Sequence, residues 1–415
     1  MNSAMSHGGL SAPLPTAPPE CFSWYFYIFE QKNWYVNNWI VYLKCKKQNN
    51  QLKRTNMQRN KLSYKGQKIF IGIDVHKKQW GVAVVCGGGF EEYHTQEPSA
   101  AKLYEFLQKH YPDGEYHAVY ESGFSGFSTY YSLTESGINC IVINAADVPT
   151  TQYELTMKTD KIDATKLARS LKSGFLRGIY VHSKDNIDAR SVVRIRRTIQ
   201  KQLGGYKSRV KHLLHSNGVP IPERFSKPGT YWSQVFIKWL QQDVQLLSQT
   251  RDSLDLLLEQ VSIIRSTLLK ANKKVRELSR SQSYRTKYEL LTSVPGIGQQ
   301  TAMALLTEIE DFGRFHNERE FASFLGLIPT CHSSGEKTTH GEKTFRGNKT
   351  IGPMVIEAAW ISIRIDQGLS CAYVSYLQRM KSQEAIIRIA RKLANIIFSI
   401  MKTGIKYVPY QWNNT

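Results

Sequence analysis

A chain of 415 residues with 41% hydrophobic and 21% charged content is ordinary for a globular protein and long enough for two or three domains with at least one sizeable core. Its balance of 55 Lys and Arg against 34 Asp and Glu gives a net charge of +21, which attracts polyanions, either nucleic acid or an anionic membrane surface. The cysteines (Cys21, Cys45, Cys86, Cys140, Cys331 and Cys371) form no C-x-x-C pair, which argues against a zinc ribbon or a disulfide framework and fits a reducing interior.

Residues 1–65 differ from the rest, with no clean strand or helix period. Their aromatic stretch Cys21 to Leu43 is the membrane candidate, but Glu30, Gln31, Lys32 and Asn33 interrupt it, leaving no apolar run of about 18–20 residues. No basic stretch precedes an uninterrupted apolar core, so a signal peptide is not expected either. Translation from Met57, with the preceding residues a mis-extended reading frame, is the favoured expectation. A nucleic-acid-binding arm is the competing one.

From Lys68 the pattern sharpens. "KIFIGIDV" reads as a buried strand ending at Asp74, "WGVAVV" as a second strand and "FEEYHTQ" as a third. A helix is predicted from Pro98 to His110, a strand over "YHAVYE" ending at Glu121, a helix closing on Gly137, and a strand over "INCIVIN". Three strands in a meander followed by alternating helix and strand imply an α/β sheet, and the order matches an RNase H-like one. "TDKIDATKLARSLKSG" is a further helix, with Asp160 as its expected N-terminal cap and Gly174 as its stop.

Arg190 to Lys211 carries eight Lys and Arg and no acid, on a helical period that Gly204 and Gly205 are expected to break. Such a face suits a phosphate backbone, with Arg194, Arg196, Arg197, Lys201, Lys207 and Arg209 as the contacts. Leu247, Leu254, Val261, Leu268 and Val275 then recur every seven residues, with Thr250, Leu257, Ile264, Ala271 and Leu278 between them. That register predicts a coiled-coil helix, either self-associating or paired within the chain. In "LLTSVPGIGQQTAMALLTEI" two helical runs flank Gly296 and Gly298, as in a helix-hairpin-helix whose backbone N–H groups face a phosphate. The C-terminal region is helical, ending in an amphipathic run from Ala385 to Gly404.

Four carboxylates stand out: Asp74, Glu121, Asp160 and Asp163. Singly, each has an ordinary explanation as a turn, edge or capping residue. Together they would concentrate negative charge at strand ends and on one helix face of a basic protein, which calls for divalent Mg2+ or Mn2+. Two such ions about 3.5–4 Å apart are a usual device for phosphodiester chemistry. The residues alone therefore point to metal-dependent phosphoryl transfer on nucleic acid.

"IGIDVHKKQW", "YESGFSGF" and "KTDKIDATKLA" resemble, in order, the acidic motifs of the DEDD transposases of the IS-one-ten insertion-sequence family, to which the Piv/MooV DNA invertases are related. "SVPGIGQQTAMALLTEI" with "FASFLGLIPTCHSSGEKTTHGEKTFRGNK" is similar to that family's C-terminal domain. The resemblance implies an α/β plus all-α protein: a RuvC-like, RNase H-like DEDD domain over 66–183, a basic and coiled-coil region over 184–286, and a mainly helical transposase domain over 287–415. It maps the catalytic and metal-binding acids onto Asp74, Glu121, Asp160 and Asp163, and a nucleophilic serine onto Ser334. Lys337, Lys343 and Arg346 would bind flanking phosphates. Cys331 and Ser333 are the lesser rival nucleophiles. The loop departs from the family's common Ser-Ser-Gly-Gly at Glu336.

The implied activity is cutting and rejoining donor and target DNA through a phosphoserine. In some members a structured bridge RNA guides it. A dimer or tetramer in the cytoplasm, at the nucleoid and free of membrane, goes with that reading. Two alternatives stay open from the residues: a metal-dependent nuclease or Holliday-junction resolvase using activated water, and a non-catalytic architectural DNA binder.

Overall fold

The computed structural model describes residues 63–409 apart from 88, 90, 153–155, 158, 228, 335–336 and 344–346, and gives the backbone alone for 330–334 and 337–343. The chain divides into two compact units, Met1–Tyr180 and Val181–Thr415. No helix among the described residues is long and apolar enough to cross a membrane.

The first unit is built on a five-stranded sheet. Strands β1 (Lys68–Val75), β2 (Trp80–Val85), β3 (Glu91–Gln96), β4 (Glu115–Glu121) and β5 (Asn139–Ile143) lie in the order β3-β2-β1-β4-β5. The β1-β2 and β2-β3 pairs are antiparallel, and β1-β4 and β4-β5 are parallel, a mixed topology compatible with the expected RNase H-like sheet. Helices α1 (Ala100–His110) and α2 (Ser128–Glu135) connect the parallel strands, and α3 (Asp160–Lys172) follows β5.

Strand alternation assigns the faces of this sheet. Phe70 of β1, Ala83 and Val85 of β2 and Val119 of β4 pack against Ala164, Leu167 and Ala168 of α3. Tyr120 points to the opposite face, where its hydroxyl donates to the Gly126 carbonyl and accepts from the Tyr130 amide of α2. By the same alternation Gly72 lies on the α3 face, and its missing side chain is what lets the helix approach. A Cβ at this position would lie 2.0 Å from the Ala164 carbonyl oxygen and 2.6 Å from the Ala168 nitrogen.

In the second unit, α4 (Lys184–Ser216) and α6 (Ser248–Ser279) are long helices joined through α5 (Gln234–Gln242). Arg196 of α4 bonds Asn272 near the end of α6, while Val210 and Leu214 share a core with Leu254 near its start, so the two run antiparallel. The heptad residues Leu254, Val261, Leu268 and Val275 are buried, which makes the predicted coiled-coil seam a pairing within the chain. Leu247 precedes the helix and is exposed. The expected break at Gly204 and Gly205 is absent, because α4 continues through both. Glycine in a helix costs only about 1 kcal/mol relative to alanine, and packing along α6 outweighs that.

The remaining elements are α7 (Arg285–Thr292), α8 (Gln299–Ile309), α9 (Glu318–Phe324), the hairpin β6 (Pro329–Ser334) and β7 (Lys337–Lys343), α10 (Ile351–Ile365), α11 (Gln367–Leu377) and α12 (Ser382–Thr403). One core joins the helices among them, with Leu291, Met303, Leu305, Phe321, Val355 and Leu393 among its members.

Candidate metal centre and nucleic-acid contacts

Asp74 is the last residue but one of β1 and, two positions beyond Gly72, shares the α3 face. The β1-β4 register pairs Ile73 with Tyr120, so Glu121 sits beside Asp74 at the ends of adjacent parallel strands. The N-terminal cap of α3 is Thr159 rather than the expected Asp160: the Thr159 hydroxyl accepts from the Ile162 amide. A threonine cap satisfies that amide and leaves the Asp160 carboxylate free to turn toward the strand ends. Gly81, opposite Asp74 in β2, keeps that space open, since a Cβ there would lie 3.6 Å from Cβ of Asp160 and 3.1 Å from the Tyr93 hydroxyl.

Asp74, His76 and Asp160 converge, with one ligand atom of each within 4.8 Å of the others. His76 Nε2 is 3.1 Å from Asp74 Oδ2 and 3.7 Å from Asp160 Oδ1. Burial pushes the Asp74 carboxyl above the usual carboxylate range; His76 opposes that shift, and the charges of Asp160 and Asp163 reinforce it. Tyr93 is raised by burial and by the charges of Asp160 and Asp74. Asp163, one turn along α3, accepts a 3.1 Å hydrogen bond from Lys166, so a lysine neutralises it. Glu121 is half-buried and lies outside the converging set.

This donor set fits a divalent cation. Two carboxylates and an imidazole are close enough to share one ion, and a positive charge would offset the burial that raises Asp74 and the lesser repulsion from Asp160 and Asp163. Of the four acids expected to act together, Asp74 and Asp160 meet, Asp163 is drawn to Lys166, and Glu121 stands at the neighbouring strand end. His76 was missed by reading the sequence. The signal was present, since a residue two beyond Asp74 along an extended chain returns to the same face.

The expected nucleic-acid contacts are in different environments. Arg194 donates through Nε and Nη2 to the buried carboxylate of Glu308 at 2.7 and 2.9 Å, and Arg190 adds a third bond at 2.6 Å. Burial alone would raise Glu308, but the hydrogen bonds and charges of Arg194 and Arg190 bring it down to about 2. This internal pairing differs from the phosphate contact expected for Arg194. Arg196 donates to Asn272, and Arg197 to the Lys349 carbonyl. The Lys207 ammonium lies 5.2 Å from the Trp232 ring centre and is lowered by burial and by Arg265. Lys201 and Arg209 are exposed, with Arg209 over the Tyr206 ring.

Gly296 adopts a left-handed φ of 85° and backs onto α10, where a Cβ would meet the Ala358 carbonyl oxygen at 2.3 Å. Gly298 caps α8 in open space. In the hairpin, Ser334 pairs with Lys337 and Pro329 with Lys343. The side chains of Ser334, Lys337 and Lys343, and the whole of Arg346, lie outside the described residues. Just beyond the hairpin, Gly347 crosses Gly326 so tightly that a Cβ would come within 2.2 Å of the Gly326 Cα.

Comparison with known proteins identifies the family of the chain. A family profile described as Transposase, of the DEDD IS110 kind, matches residues 71–217, and the profile Transposase IS116/IS110/IS902 family matches residues 288–374. Together they span more than half of the chain. Among curated relatives, the transposase for insertion sequence element IS1533 of Leptospira borgpetersenii is 28% identical over 262 residues, covering 61% of this chain and 73% of its own. A candidate transposase of Sinorhizobium fredii, y4qE, is 26% identical over 298 residues, covering 71% and 72%. Another from that organism, y4rJ, is 25% identical over 374 residues, covering 81% and 92%. The chain therefore belongs to the IS110 family of DEDD transposases.

Proposed function

We propose that this transposase cuts and rejoins DNA strands with Ser334 as nucleophile and with Asp74, Glu121, Asp160 and Asp163 as its metal-holding acids. The observation that carries the metal half of this reading is the convergence of Asp74 and Asp160 with His76 where β1 ends beside the start of α3. Asp74, Asp160 and His76 would hold the first Mg2+ or Mn2+, and Glu121 and Asp163 would complete the set. When bound, such an ion supplies Lewis-acid stabilisation of charge on the phosphate oxygens.

In the reaction, the Ser334 Oγ forms a bond to phosphorus as the bond to the leaving deoxyribose oxygen breaks. The proton lost by the hydroxyl balances the one gained by that oxygen, and reversal onto another strand rejoins the DNA. A serine hydroxyl is weak at neutral pH, so an activating partner is required. Lys337, Lys343 and Arg346 would neutralise neighbouring phosphates. On this reading donor and target DNA are the substrates, a structured bridge RNA pairs with both, and a dimer or tetramer assembles the ends.

A second reading is a nuclease or resolvase-like activity with water as nucleophile. It needs only groups of the first unit, Asp74, His76 and Asp160. One experiment separates the two. Wild type, Ser334→Ala and Asp74→Asn are incubated with DNA carrying the element's ends, and recombinants and covalent protein–DNA adducts are measured. The serine reading expects an adduct in wild type and none in Ser334→Ala. Recombination by Ser334→Ala would eliminate it, and cleavage by Asp74→Asn would eliminate both.

A further inference from the structure

Beside the acidic cluster lies a second feature that the chemistry above does not use. A cavity of about 230 Å3 opens between the end of β1 and the segment linking β4 to α2, with His76, Lys77, Trp80, Phe124 and Ser128 among its walls. His76 is common to both places: its Nε2 faces Asp74, while its residue forms part of the cavity wall. The volume falls below the roughly 300–1,000 Å3 typical of sites for drug-sized ligands, so it suits one flat ring system better than a whole cofactor.

Phe124 is 61% exposed, three residues after Glu121. The segment carrying it is tied at both ends. The Ser122 amide donates to the Ile143 carbonyl at 2.8 Å, and the Gly126 carbonyl accepts from the Tyr120 hydroxyl at 2.8 Å. A phenyl ring left mostly exposed on a pinned segment gains little for the fold from burial. The Lys77 ammonium stands 5.8 Å from the centre of that ring. An exposed aromatic ring with a cation near it is the combination that stacks a nucleobase and holds its phosphate, with little regard to base identity.

We infer that this cavity receives one unstacked nucleobase of the nucleic-acid substrate on Phe124, with Lys77 on the adjoining phosphate. The inference rests on the proposed phosphodiester chemistry at Asp74 and Asp160. A base inside a duplex already has neighbours on both faces, so the occupant must be unpaired or flipped out. The cavity thereby positions the strand beside the carboxylates and selects DNA that is locally opened over DNA that is fully paired.

The test uses the full-length protein and oligonucleotides carrying 2-aminopurine at successive positions across a single-stranded gap at the element's end. Wild type should change the probe's fluorescence at one position far more than at its neighbours. Phe124→Ala should abolish that signal and weaken binding to gapped DNA about 5- to 150-fold, the loss of one stacked base. Phe124→Tyr should retain both, and Lys77→Ala should weaken binding while keeping the signal at saturation. Equal binding and an unchanged signal in Phe124→Ala would overturn the inference, as would a uniform signal at every position in wild type. Circular dichroism of Phe124→Ala serves as the folding control, and Phe124→Tyr keeps the test decisive should that variant unfold. Cleavage persisting in Asp74→Asn would refute the carboxylate chemistry and with it the cavity's role beside the reacting phosphate, whereas absence of a position-specific signal in wild type refutes only the cavity.

Discussion

His76 brings a nitrogen donor to a pair of carboxylates, and this bears on which ion the site prefers. Affinity of an N/O site rises along the divalent transition metals, and imidazole contributes most to those ions and little to Mg2+. His76→Ala is therefore expected to weaken Co2+ binding at least about tenfold while leaving Mg2+ binding nearly unchanged, read by calorimetry and by cobalt absorption. Equal losses for both ions would show that His76 only positions Asp74. A different outcome is expected where Arg190 and Arg194 clamp Glu308. Its carboxylate is buried, and removing Arg190 leaves that charge with Arg194 as its remaining partner. Arg190→Met should lower stability by about 1.5–3 kcal/mol, the loss of one hydrogen bond to a charged group, visible as a fall in denaturant midpoint. An unchanged midpoint would argue that the clamp contributes little.

At the scale of elements, two glycine crossings position the candidate sites. Gly72 lets α3 lie directly on β1, which is what carries Asp160 to Asp74. Gly72→Ala would force the helix away from the strand. The expected result is a loss of a few kcal/mol with impaired metal binding, since overpacking costs typically about 1–3 kcal/mol. Metal affinity equal to wild type in a folded Gly72→Ala protein would disprove this account. The second crossing, Gly347 on Gly326, brings the chain that has left the Ser334 hairpin back against the end of α9. Neither crossing was legible in the sequence, because each depends on a backbone that approaches from far along the chain. The elements themselves were legible. Apolar alternation found β1, β2 and β4, and the heptad register found α6. The expected break at Gly204 and Gly205 is absent because local propensity is outweighed by packing against a helix more than 50 residues away.

For the whole molecule, the excess of positive charge predicts salt-sensitive DNA binding, to which its arginines contribute unequally. If exposed Lys201 and Arg209 touch phosphate, replacing either by alanine should reduce the slope of log affinity against log salt by about 1. Arg194→Ala should leave that slope intact, because its guanidinium is engaged with Glu308. Acid sensitivity follows from the same unit. Glu308 is held at about 2 against its ordinary 4.5, so the stability it contributes is complete above pH 4.5 and is lost as pH falls toward 2. His182 is lowered to about 4, first by burial and then by Arg190, against its ordinary 6.5. Between those values only the unfolded chain takes up that proton, so stability falls with pH there as well. Urea titrations of the second unit's unfolding should show stability declining from about pH 6.5 downward. A flat profile between pH 6.5 and 4 would contradict the His182 assignment, and a flat one between pH 4.5 and 2 that of Glu308.

By itself the sequence determined the strands, the long helices, the positive field and the order of the acidic motifs, because each is written in residues close together along the chain. It also marked Ser334 and the carboxylates as chemically notable. Only the tertiary structure decided which of these groups meet. Asp74 and Asp160 lie 86 positions apart in the chain and are brought together by the Gly72 crossing. Arg194 was read as a phosphate contact because its partner Glu308 lies 114 positions away. His76 acquired a meaning only when the end of β1 was set against the start of α3. Local pattern specifies elements through propensity and periodicity, whereas a site depends on close packing between distant segments, which no local pattern encodes.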